Sequence, residues 1–107
     1  MSKTKPVIEG LCFEKALCYI IEHESDDLRL IHGRAIGRGP IQGIKFSHAW
    51  IEDSKRSIAI DLDKKEPKEL PLIVYYLLGN ITNVQKYTRK EAMEKALETR
   101  HYGPWRK

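Results

Sequence analysis

Two short strand-like runs, Ile44 to about Glu52 and Ser57 to Leu62, stand on either side of the polar tetrapeptide Asp53-Ser54-Lys55-Arg56. That arrangement reads as a hairpin, and a connection this short permits only antiparallel pairing. The middle of the chain is therefore committed to an antiparallel sheet, and the other segments must cover it. With 107 residues there is room for one domain, residues 1–107, and for no second lobe. A composition 41% hydrophobic and 32% charged, with Gly and Pro scattered, is that of a small globular protein rather than a disordered tail or a fibre.

Upstream, Phe13, Leu17, Ile20 and Ile21 recur at offsets of three and four, which predicts an amphipathic helix from Gly10 to about Glu24. After the polar break Ser25-Asp26-Asp27, Leu28 to Ile36 is rich in branched aliphatics and predicts a strand, followed by a glycine loop from Gly37 to Gly43. Downstream, Leu72 to Leu78 has high strand propensity, with Gly79-Asn80 as a turn into a further strand at Ile81 to Tyr87. A helix is the competing reading, since Pro71 and Gly79 would also suit a helix start and stop. Thr88-Arg89-Lys90-Glu91 has capping-box spacing, so a last helix with an apolar stripe of Ala92, Met93, Ala96 and Leu97 runs to about His101 and stops at Gly103-Pro104. The expected fold is α+β: an N-terminal helix bearing Cys12 on an antiparallel sheet, plus a C-terminal helix.

Cys12, His48 and Asp61 carry the chemistry. A thiol is a useful nucleophile only as thiolate, and both a helix N-terminus and a neighbouring imidazolium favour that form. The expected helix start puts Cys12 in the first turn, where unpaired amide groups and the positive end of the dipole lie. The imidazole in turn needs a third group to fix its tautomer. With the hairpin turn centred on Ser54-Lys55, His48 faces Asp61, Trp50 faces Ala59 and Phe46 faces Asp63, and cross-strand Cβ atoms roughly 5 Å apart allow a hydrogen bond. Asp63 is the diagonal alternative to Asp61. An odd-length loop or a bulge would instead bring Ile60 or Leu62 opposite His48.

Gly-x-Cys opening a helix, then Ile31-His32-Gly33, then His48-Ala49-Trp50-Ile51-Glu52, then Asp61 at a strand end, resembles the papain-like thiol-enzyme superfamily and its transglutaminase-like branch. The histidine string is also similar to that of the leader-peptide proteases of lasso peptide biosynthesis, and the whole chain resembles small uncharacterised phage and bacterial proteins. The resemblance spans residues 10 to 63. It implies a Cys12 nucleophile, a His48 general base and acid, and an Asp61 orienter acting on an amide or ester, hence a cysteine peptidase, amidase or acyltransferase that needs no cofactor. Its substrate would be a peptide, protein or other amide. The aromatic or glutamine often found before the nucleophile is not evident, which leaves the Cys12 N–H and the Gln42 side chain as oxyanion donors. Trp50, as a wall of the site, and His32, near the loop, complete the expected substrate-binding residues, although packing is the plainer role for both.

Cys18 lies on another face of the helix roughly 9 Å along the axis from Cys12, a poor geometry for a disulfide, and reads as structural. Metal-compatible residue types are present without a close Cys-x-x-Cys or His-x-x-x-His pair, so no metal site is expected. Glu52 reads as a solvated hairpin residue. A net charge of +4, with Arg29, Arg34, Arg38 and Lys45 near the glycine loop, supports a different class of function. In that reading the scaffold is a non-catalytic binding module that holds an acidic partner or nucleic acid through its basic loop. The longest apolar run, residues 70–78, is far short of the ~20 needed to cross a bilayer, and no secretory signal opens the chain. The cytoplasm is the expected compartment.

Overall fold

In the computed structural model, which describes residues 7–36, 45–62 and 67–105, eight elements follow one another. They are α1 (Val7–Glu22), β1 (Leu28–Ile36), β2 (Lys45–Asp53), β3 (Ile58–Asp61), β4 (Lys68–Pro71), α2 (Leu72–Gly79), β5 (Thr82–Tyr87) and α3 (Arg89–Thr99). The strands form one antiparallel sheet in the order β4-β3-β2-β1-β5. The expected α+β class and the Cys12 helix, sheet and C-terminal helix are all present. No helix among the described residues is long and apolar enough to cross a membrane.

Alternation of side chains along the strands divides the sheet into two faces. On one, Leu28, Leu30, Ala49, Ile51, Ile60 and Leu62 pack with Cys12, Phe13, Ala16, Leu17 and Ile20 of α1 and Ala92 of α3. On the other, Ile31, Trp50 and Ala59 pack with Tyr75 of α2. β1 keeps Leu28 and Leu30 for the first face and Ile31 for the second, so its near-continuous apolar run reflects a strand covered on both sides.

Three sequence expectations change. The segment read as a strand at Leu72 to Leu78 is helix α2, entered from Pro71 at φ −55° and closed by Asn80 at φ 49°, whose N–H reaches back to the carbonyls of Tyr76 and Leu77. An apolar run this short has no decisive periodicity of its own, and the second sheet face offers it a surface to bury Tyr75. Helix α3 has its capping box, with Glu91 N–H donating to Thr88 Oγ1 at 3.1 Å and Thr88 N–H donating to Glu91 Oε1 at 2.9 Å. It ends at Thr99 with Arg100, φ 60°, as its C-cap, close to the expected His101, but Leu97 of the expected stripe is 78% exposed.

The third change bears on the site. β2 and β3 pair as Ile51↔Ile60, Glu52↔Ala59 and Asp53↔Ile58, two residues away from the expected register. Asp53 is the reason. Its Oδ1 accepts from the N–H groups of Lys55 at 3.0 Å and Arg56 at 3.3 Å, and its Oδ2 accepts from Arg56 Nε at 3.0 Å. Asp53 thus organises the turn from the last position of the strand, and Ser57, at φ 56°, joins the turn instead of β3. Ala59 faces Glu52, not Trp50, and His48 does not stand directly opposite Asp61. Because the displacement is an even number of residues, both side chains keep the same face.

Candidate active site

α1 begins at Val7, so Cys12 is its sixth residue and sits in the second turn rather than the first. Its N–H falls within the intrahelical ladder, since only the first four amides of a helix lack a partner. The oxyanion donor expected from that N–H is therefore already committed. Gln42, the other expected donor, lies outside the described residues, as do the glycine loop at 37–43 and Asp63.

His48 and Asp61 meet diagonally across β2 and β3. His48 Nε2 lies 3.4 Å from Asp61 Oδ2, a long contact, with the side chains 7% and 17% exposed. Tyr75 Oη donates to the same Oδ2 at 3.0 Å, so a residue from α2 helps to hold the carboxylate. Nothing in the sequence marks Tyr75 for this role, because it depends on the segment being helical.

The third member approaches from the opposite face. Strand alternation puts the His48 side chain with Trp50, whereas Cys12 belongs to the cluster beneath α1. Ile51↔Ile60 is the last β2–β3 pair, three residues short of His48, and beyond it no ladder between these strands separates the faces among the described residues. Cys12 and His48 hydrogen-bond there. Burial opposes a charge on this imidazole, but the hydrogen bonds and charges of Asp61 and Cys12 overcome it and raise His48 to about 10.

Trp50 is fully buried and stacks on His48 at a centroid distance of 5.7 Å and an interplanar angle of 28°. It is a wall behind the imidazole, not a surface open to a ligand. Its Nε1 donates to Glu52 Oε2 at 3.2 Å, where Tyr76 Oη also donates, and Lys86 Nζ lies 3.5 Å from Oε1. Glu52 is only 5% exposed, which corrects its reading as a solvated hairpin residue. Burial and the Glu52 carboxylate together hold the Tyr76 phenol above its ordinary value.

His32 is placed apart from this cluster. It lies on the α1 face, 4% exposed, boxed by Phe13, Tyr87 and Trp105 with ring centroids 4.7, 5.1 and 4.8 Å away. Burial lowers it to about 4, so the ring is neutral near pH 7. Gly103 closes the box at φ 119°, and a Cβ there would come 2.5 Å from His32 Cε1. Cys12 itself is only 2% exposed, and Cys18 is exposed on α1. Partial burial, then the carboxylates of Glu14 and Glu22, raise the Cys18 thiol. No group of three or more His, Cys, Asp or Glu side chains that could hold a metal ion occurs among the described residues.

The arrangement thus joins a thiol, an imidazole and a carboxylate from α1, β2 and β3. No protein-family model, curated protein or solved structure matches this chain.

Proposed function

We propose that this protein carries out thiol-dependent acyl chemistry on an amide or ester, with Cys12 as nucleophile, His48 as general base and acid, and Asp61 orienting the imidazole. The observation that carries the reading is His48 held between the Cys12 thiol and the Asp61 carboxylate, with its protonated form favoured. The thiol proton rests on His48 as the Cys12 sulfur bonds to the carbonyl carbon. His48 then returns that proton to the leaving amine or alcohol as the carbon–heteroatom bond breaks, leaving a thioester. Water or an amine attacks the thioester and His48 accepts its proton; the carbon–sulfur bond then breaks, releasing an acid or a new amide and restoring the Cys12 sulfur. Hydrolysis and transfer differ only in that last nucleophile.

One observation favours the second reading, a non-catalytic binding module on the same scaffold. A thiol 2% exposed must be uncovered before it reaches any carbonyl, and buried thiols are usually inert. Iodoacetamide separates the two readings. With rates at each cysteine read by mass spectrometry near pH 7, the catalytic reading expects Cys12 to alkylate at least about tenfold faster than exposed Cys18. It also expects His48→Ala to slow Cys12 specifically, and Cys12→Ala to abolish labelling by an electrophilic probe. If Cys12 reacts no faster than Cys18, the thiol is structural and the binding module stands.

A further inference from the structure

Between α1, the β1–β5 edge of the sheet and the C-terminal segment lies a cavity of about 170 Å³, the space of roughly five or six water molecules. It borders the core that holds Cys12: Phe13, which follows Cys12 on α1, lines it, as does Trp105, which packs in the same core as Cys12. Ser47, the residue before His48, also lines it.

Several of the described residues that line this cavity can donate hydrogen bonds. His32 is more than nine-tenths buried, and neither ring nitrogen has a hydrogen-bond partner among the described residues. Leaving a buried polar group unmatched costs on the order of 1–3 kcal/mol, a penalty that a bound partner would remove. Gln85, opposite His32 in the β1–β5 ladder, accepts at Oε1 from Tyr87 Oη at 2.7 Å, which leaves its NH₂ to donate. Arg34 and Asn83 add a guanidinium and a carboxamide, neither with a hydrogen bond or ion pair among the described residues. Among the described residues, none that lines the cavity is acidic.

We propose that this cavity is a carboxylate-binding subsite next to Cys12, selecting substrates that carry an acidic side chain or a free terminal carboxylate close to the bond attacked. Its role in catalysis rests on the thiol reading, whereas its affinity for carboxylates does not. An apolar wall of Phe13 and Trp105 receives the methylenes, and the donors of His32, Gln85 and Arg34 receive the anion.

Two measurements test this separately. Side-chain NMR of the intact protein follows the His32 ring and the Gln85 and Asn83 amides during titration with N-acetylglutamate α-amide, with N-acetylglutamine α-amide as the uncharged control. Saturable shifts at these residues with the acidic probe alone support the subsite; none at tens of millimolar, or equal shifts with both, overturn it whether or not the thiol is reactive. Chloroacetyl-glutamate α-amide, chloroacetyl-glutamine free acid and chloroacetyl-glutamine amide then present a side-chain carboxylate, a terminal carboxylate or neither to Cys12. At least one acid should label Cys12 about tenfold faster than the neutral probe, and which one identifies the source of the carboxylate. Gln85→Glu keeps the acceptor for Tyr87 but replaces the donor with a negative charge, so it should bring that ratio close to one. Rapid iodoacetamide labelling of Cys12 with no preference among the three probes sinks the subsite and leaves the thiol reading intact. Slow iodoacetamide labelling sinks the thiol reading and leaves the NMR result to decide the subsite.

Discussion

Replacing Asp61 with asparagine should lower the titration midpoint of His48 while leaving the shape of the site nearly unchanged. In the native protein Nε2 and Oδ2 are 3.4 Å apart. Two unit charges at that distance in an effective dielectric of about 20 attract by about 5 kcal/mol. At about 1.4 kcal/mol per pH unit, that is comparable to the distance between the ordinary 6.5 and the value of about 10 that His48 reaches. Burial and the thiol are unchanged by the substitution, so removing the carboxylate should move the midpoint down by about three pH units. The assay is an NMR titration of the His48 ring Cε1–H signal in the native protein and in Asp61→Asn. Stability should follow. Because the folded state raises His48, its contribution is present in full below pH 6.5 and is lost as the pH rises through about 10, on the order of 5 kcal/mol. Denaturant unfolding of Asp61→Asn should show a smaller loss, beginning at the same pH and complete at lower pH. A midpoint within about half a pH unit of the native one would refute the claim that Asp61 holds the imidazolium.

The remaining predictions concern the supporting structure. A Cβ at residue 33 would lie 2.8 Å from Trp50 Cη2, so Gly33→Ala should destabilise the protein by about 1–3 kcal/mol in urea unfolding and weaken the Trp50 stack on His48. His32 has the opposite sign to His48. Burial lowers it to about 4, so its contribution is present above pH 6.5 and is lost as the pH falls toward about 4, on the order of 3 kcal/mol. Chemical denaturation at pH 7 and pH 4 should show that loss in the native protein and a smaller one in His32→Phe. Thr88→Ala removes the acceptor for Glu91 N–H and should cost about 1 kcal/mol of unfolding free energy, read from the urea midpoint.

Elements whose signal is local were legible. The apolar offsets in α1, the branched run from Leu28 to Ile36 and the Thr88–Glu91 box each need only their own few residues, and all three appear where the sequence places them to within a few positions. The start of α1 was not legible. It lies at Val7 and moves Cys12 into the second turn, since Gly10 is carried inside the helix instead of opening it. Tyr75 and Glu52 show a different limit. Their roles at Asp61 and in the Trp50–Tyr76–Lys86 group arise only once α2 covers the second face of the sheet.

What the sequence determined by itself is therefore the period of each segment and the parity of each strand. His48 and Asp61 share a face whether the hairpin register is the expected one or the observed one, because a shift of two residues changes the partner without turning the side chain over. Tertiary structure alone decided the register itself, through the hold of Asp53 on the turn, and decided that Leu72–Gly79 coils onto the sheet instead of joining it. It also decided the burial of Cys12 and His48, which depends on what packs over them from distant parts of the chain. Local propensity acts over a few residues, whereas burial and pairing are properties of surfaces that exist only after the chain has folded.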